Sequence, residues 1–257
     1  MLSAQGLPSL LLKELLPSDA LIVETADLHA SGGKNRMLVL WMRGPKKEVR
    51  APGPGFCGDF VYGDSWVGPT KLSLIDTASR KVLNTISVMG PAYDRDPADS
   101  FRIPFWVGNQ YYHVPAVNSK KEGKPKILHL QDLTGDGIAS EFVLFMHSAC
   151  GIVETSVLGY QTLSDRVLQY PVEGSEGKEK PQITMWVSQV FGMRPTSPGH
   201  WDFTWGPGHG TDVKIHEQVS FDKVRQRFVA RHTTTPIQIK WKWARQPQAH
   251  FQPINQS

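Results

Sequence analysis

Hydrophobic and polar positions alternate with a period of two along most of this chain, and the exception stands at its beginning. Leu10, Leu11, Leu12, Leu15 and Leu16 follow Ser9 at near-helical spacing, and Pro17 closes the stretch, which predicts one short amphipathic helix. Beyond it, strands are expected over residues 21–25, 37–43, 59–62, 71–76, 81–88, 126–131, 141–147, 154–160, 166–170, 183–190, 201–205, 213–221, 227–232 and 237–243. The last of these puts Ile237, Ile239, Trp241 and Trp243 on one parity and Gln238, Lys240 and Lys242 on the other, the pattern of a half-buried antiparallel strand. Between the strands lie connections rich in Gly and Pro, of which APGPGFCGDF, MGPAYDRDPADS, EGSEGKEKP and GMRPTSPGH are the clearest. The expected fold class is all-β and antiparallel, with a helical segment over residues 1–20 and a single β-rich domain over 21–257.

Three hairpins, LSLIDTASRKVL, VLGYQTLSDRVL and QVSFDKVRQRFV, share one design. In each, alternating apolar residues end at a polar one (Asp76, Gln161, Asp222), and a basic residue (Lys81, Arg166, Arg227) opens the next apolar pair. The residues between suit a type I turn whose first polar side chain caps the turn's backbone amides. Such hairpins resemble the outer strands of β-propeller blades. They recur unevenly, whereas blades repeat at roughly 40 to 50 residues, so an irregular propeller-like array, a large sandwich and a barrel all fit the pattern.

Length and composition narrow the class. A chain of 257 residues can bury a core without disulfide staples, and 40% hydrophobic with 20% charged residues exclude a disordered polymer. No apolar run approaches the roughly 20 residues of a bilayer-crossing helix, so no membrane span is expected. Lys+Arg 28 against Asp+Glu 24 leaves a net charge of +4, a small surplus for this length. The basic runs, Lys46, Lys47 and Arg50, then Lys120, Lys121, Lys124 and Lys126, lack interleaved aromatics and read as solvated loops. Nucleic acid is therefore not an expected partner. Cys57 and Cys150 are the only cysteines, which leaves one disulfide or two buried thiols and excludes zinc sites of the CxxC type. Lys13 and Glu14 interrupt the apolar stretch that a signal peptide would need. Ser3-Ala4-Gln5 nevertheless resembles the small-residue end of a cleavage region, and the expected location is extracytoplasmic or secreted.

The most specific local chemistry lies in LHLQDLTGDGIASEFVLF. Asp132, Thr134 and Asp136 alternate, Gly135 and Gly137 permit tight winding, and Ile138 can offer its carbonyl, an arrangement of oxygens suited to a hard cation such as Ca²⁺. Over about a dozen residues the loop resembles the calcium loops of FG-GAP and VCBS repeats. In that family the third position carries Asp or Asn where this chain has Thr134, and the closing carboxylate falls where it has Ser140, with Glu141 next. The resemblance implies calcium held by Asp132, Thr134, Asp136, Ile138 and Glu141. The competing reading makes Asp132 and Asp136 caps of backbone amides, with the glycines supplying positive φ.

A second cluster occupies GHWDFTWGPGHGTDVKIHE, where His200, Asp202, His209, Asp212, His216 and Glu217 crowd together. Histidines with carboxylates suit Zn²⁺ or Fe²⁺, or a catalytic site. The plainer alternative is a strand whose aromatic face (Trp201, Phe203, Trp205) backs a polar face (His200, Asp202, Thr204). No GxSxG elbow, P-loop or helix-opening GxGxxG accompanies it. Trp66, Trp106, Tyr111, Tyr112, Trp201 and Trp205 are candidates for an aromatic platform toward a carbohydrate or protein ligand. The sequence thus favours a non-enzymatic extracytoplasmic binding or scaffold protein stabilised by one calcium ion. A secreted hydrolase or lyase of carbohydrate or ester substrates, working near His200 to Glu217, is the rival.

Overall fold

The computed structural model describes residues 6–29, 35–50, 63–88, 101–103, 106–107, 110–111, 127–149, 152–174, 186–187, 194–206 and 213–236. The chain opens with helix α1 (Gly6–Leu15) and continues through β1 (Ala20–His29), β2 (Asn35–Arg43), β3 (Lys46–Arg50), β4 (Gly63–Gly68), β5 (Thr70–Asp76) and β6 (Lys81–Ser87). Three short strands follow: β7 (Phe101–Ile103), β8 (Trp106–Val107) and β9 (Gln110–Tyr111). The second half contains β10 (Glu141–Ala149), β11 (Ile152–Gln161), β12 (Arg166–Gln169), β13 (Val172–Glu173) and β14 (Trp186–Val187). It ends, within the described residues, on β15 (His200–Trp205), β16 (Val213–Asp222) and β17 (Arg227–Pro236). The class is all-β, with sheets antiparallel except where β13 joins β17, and no closed barrel is formed among the described residues.

Three four-stranded sheets carry the architecture. The first runs β1-β2-β5-β6, the second β10-β11-β12 with β14 beside β11, and the third β13-β17-β16-β15. Side-chain parity stacks them. Leu38, Leu40, Leu72 and Leu74 of the first sheet meet Phe142, Leu144, Leu158 and Tyr160 of the second in one core. From the opposite face of the second sheet, Val143 and Val157 meet Trp201, Val219, Phe228 and Ala230 of the third. Leu12 and Leu16 of the α1 segment cover the remaining face of the first sheet against Met37, Val39, Trp41 and Ile75. Because β2 is buried on both faces, residues 37–42 form a continuous apolar run in place of an alternating one.

Polar side chains fasten both edges of the first sheet, one to the second sheet and the other to the backbone of residues 127 and 128. On β6, Asn84 acts as a one-residue strand: its amide donates to the Val167 carbonyl at 2.9 Å and its oxygen accepts the Val167 amide at 3.0 Å. On β1, the Glu24 carboxylate accepts the amides of Ile127 and Leu128 at 2.6 and 3.2 Å. That capture corrects one expected element, since 127–131 is irregular backbone and not a strand. The expected loop at Lys46, Lys47 and Arg50 is likewise corrected: these residues stand on β3, paired with β4, with the Lys46 and Lys47 side chains exposed. The expected strand over 237–243 and residues Cys57 and Cys150 lie outside the described residues.

All three hairpin turns form as their shared pattern predicts, with Asp76 opposite Lys81, Gln161 opposite Arg166 and Asp222 opposite Arg227. Each turn ends on a residue of positive φ, Arg80, Asp165 or Gln226, at 54°, 51° and 53°. Asp76 caps the amides of Ala78 and Ser79, and Asp222 those of Val224 and Arg225. Gln161 departs from the pattern. It accepts the Ser164 hydroxyl and donates to the Gln226 side chain, tying the second turn to the third.

Candidate functional site

The segment from Asp132 to Ser140 is a compact loop closed at its base by reciprocal backbone hydrogen bonds between Gln131 and Glu141. Its winding is driven from within. Asp132 Oδ1 accepts the amides of Gly135 and Asp136 at 2.7 and 3.1 Å, and Oδ2 accepts that of Gly137 at 2.9 Å. Asp136 Oδ1 then accepts the Ile138 amide at 2.8 Å. Gly135 and Gly137 hold φ of 73° and 87°, a region that L side chains seldom enter.

Two of the loop's neighbours are bare backbone. A Cβ on Gly135 would stand 2.7 Å from the Pro198 carbonyl oxygen, and one on Gly199 would stand 2.8 Å from that of Thr134. The loop, attached to the second sheet, therefore lies flush against the turn that feeds β15 of the third. Lys223, on the third hairpin turn, donates to the Gly135 carbonyl at 2.7 Å. The loop is a joint between two sheets.

Glu141 is buried at the centre of the joint. Its Oε2 accepts the amides of Leu133 and Thr134 at 2.9 and 3.3 Å, while Oε1 lies 2.6 Å from the Ser140 hydroxyl. Burial pushes its pKa up to about 7, with the neighbouring Asp136 charge adding to the rise, against the Ser140 hydroxyl and the two amides that favour the anion. The same Ser140 hydroxyl lies 3.0 Å from the Tyr160 carbonyl. A proton on Oε1 completes the pairing: the carboxyl then donates to Ser140, and the Ser140 hydrogen goes to Tyr160. Gly159 makes room for this side, since a Cβ there would meet the Ser140 carbonyl at 2.6 Å.

The five oxygen donors expected of a cation site are thus near one another in sequence but differently employed. Asp132, Asp136 and Glu141 take donors from the loop itself, and the buried Thr134 hydroxyl has no hydrogen-bond partner. Among the described residues, no three His, Cys, Asp or Glu side chains converge as a metal-holding group.

The second candidate cluster divides between the two faces of the third sheet. Trp201 is buried, and the buried Glu217 accepts the Trp205 indole N–H at 2.9 Å, so the aromatic face is core. On the solvent face, His216 Nδ1 lies 3.3 Å from the Thr204 hydroxyl and Nε2 lies 3.5 Å from Asp202 Oδ1. Gln218 donates to the other Asp202 oxygen at 2.8 Å. His200 begins the same strand, two residues from Asp202, and His209 and Asp212 lie outside the described residues. Of the proposed aromatic platform, Trp66 is exposed, Trp201 and Trp205 belong to the third sheet's inner face, and nothing described places the side chains of Trp106, Tyr111 and Tyr112.

Sequence reasoning did not single out Arg36. At the start of β2, it forms a bidentate pair with Asp165 at 2.9 and 2.7 Å and reaches Asp76 at 3.0 Å, so one guanidinium locks the first hairpin turn to the second. Tyr160 donates to the same Asp165 at 2.8 Å. Donating to the Asp165 carboxylate raises the Arg36 pKa above its ordinary value, and burial pushes that of Tyr160 up to about 12. The available signal was weak: a lone Arg entering an apolar strand beside two hairpins with acidic turns.

Set against protein-family models, curated proteins and solved structures, the chain matches none. Among the described residues no helix is long and apolar enough to cross a membrane.

Proposed function

We propose that this protein is a non-enzymatic binding or scaffold protein that works outside the cytoplasm, with one calcium ion tightening the 132–141 joint. The observation that carries the scaffold reading is the structural employment of its buried and half-buried polar groups. Arg36 and Asn84 fasten the first sheet to the second, Glu24 fastens it to residues 127 and 128, and Asp132 and Glu141 wind the loop between them. Support for calcium is narrower and comes from one atom. Thr134 stands at the third position of the loop pattern, and its hydroxyl is buried without a partner, an arrangement a bound cation would satisfy. A site with so few free carboxylate oxygens is a weak one, matched to the millimolar calcium outside cells.

Thermal melting tests the reading. With a dissociation constant of about 10⁻⁴ M, millimolar calcium adds about 1.4 kcal/mol, a rise in Tm of roughly 3 to 6 °C over excess chelator. Asp136→Ala removes that rise. Identical melting in chelator and calcium removes the ion and leaves Asp132 and Asp136 as turn caps. Turnover of ester or carbohydrate substrates that His216→Ala abolishes would overturn the non-enzymatic part.

A further inference from the structure

The two most exposed large apolar side chains among the described residues are Leu163 and Val224, at 86% and 93%. They are not scattered. Each sits at the same position of its hairpin turn, two residues beyond Gln161 and Asp222 respectively, where the first turn carries Ala78. The Gln161–Gln226 hydrogen bond sets the second and third turns side by side, and Arg36 sets the first against the second. The stack of sheets therefore presents three turns at one end, two of them tipped with a protruding apolar residue.

Charge at that end is sorted by depth. Asp76 and Asp222 direct oxygens to their own turn amides, and Asp165 is held by Arg36, leaving all three half-buried. Arg80, Lys81, Arg166, Lys223 and Arg225 are exposed around them, against the exposed acids Glu14, paired with Arg80, and Asp136 of the neighbouring loop. Arg225 also pairs with Asp222 and Glu173.

We propose that this end is a docking surface for an anionic membrane, with Leu163 and Val224 entering the interface and the surrounding Lys and Arg meeting lipid headgroups. Isolated knobs with no groove between them suit a deformable lipid interface, which accepts apolar tips one at a time, and the exposed cations supply the complementary charge. The inference rests on the binding-protein reading only in naming a partner, and it is independent of calcium.

Sedimentation with vesicles, in chelator, tests it. The full chain is expected to pellet with phosphatidylcholine vesicles containing phosphatidylserine and to remain in solution with phosphatidylcholine alone. Leu163→Ser with Val224→Ser should weaken partitioning by roughly tenfold or more for each tip, since burying such a side chain contributes that much. Arg166→Ala should weaken it about fivefold. Unchanged melting of the variants shows that the fold is intact. Absence of binding to anionic vesicles, or equal binding by the double-Ser variant, overturns the proposal. Capture of an acidic protein without vesicle binding would overturn it also. None of these results alters the calcium-dependent melting or the turnover assay by which the proposed function is judged.

Discussion

Glu141 has a seat that suits its neutral form. Protonated, it donates to Ser140 and accepts two amides; ionised, it leaves Ser140 with one hydrogen for two acceptors and sits as a buried charge. The group's pKa rises from an ordinary 4.5 to about 7 on folding, so the folded state holds the proton more tightly. Its contribution to stability is full below about pH 4.5 and is lost as pH rises to about 7, amounting to roughly 3 kcal/mol at most. Glu141→Gln mimics the protonated form. Denaturant unfolding at pH 5 and pH 8 should therefore show wild type losing stability relative to Glu141→Gln as pH rises, by about 2 kcal/mol; parallel behaviour of the two would refute the assignment.

At the scale of elements, the joint between loop and turn depends on two glycines facing each other's backbone. Gly135→Ala faces both a positive φ and a Cβ only 2.7 Å from the Pro198 carbonyl, where no flexible side chain can yield. A cost of roughly 2 to 4 kcal/mol is expected. Gly137 provides the control, because its φ is also positive but nothing lies within 4 Å of a Cβ there. Gly137→Ala should cost only the backbone strain, about 1 kcal/mol. Equal losses for the two alanine variants would mean that the loop and the turn are not in contact. The hairpin turns show the same economy of local means: short polar caps set the reversal, and non-glycine residues accept positive φ at Arg80, Asp165 and Gln226.

Across the whole molecule, the first and second sheets share a hydrophobic core but are indexed by one charged cluster. Arg36 has a side chain only 10% exposed and faces both Asp76 and Asp165. Removing the guanidinium leaves two half-buried carboxylates facing each other's sheet without its charge, so Arg36→Ala should lower stability by about 2 to 3 kcal/mol. Combined with Asp165→Ala, the loss should fall short of the two single losses added together, with a coupling above about 1 kcal/mol in a double-mutant cycle. Additive losses would show that the cluster does not link the sheets.

The sequence by itself determined the local geometry. Period-two alternation located most strands, the spacing of the five leucines from Leu10 to Leu16 placed helix α1, and the polar-to-basic interval fixed three hairpin registers residue for residue. Asp132, Gly135 and Gly137 likewise declared a tight loop, because caps and positive-φ glycines act over a few bonds. The stacking was decided only in three dimensions. Nothing in the alternation of β2 says that α1 will cover its second face, and the extended stretch at 127–131 reads as a strand until Glu24, over a hundred residues away, takes its amides. The His200 to Glu217 cluster shows the same limit: parity separates the core aromatics from the polar face, but only cross-strand register brings His216 to Asp202 and Thr204. Arg36 was invisible for the same physical reason. A charge becomes a clamp through partners that the fold, and not the neighbouring residues, delivers to it.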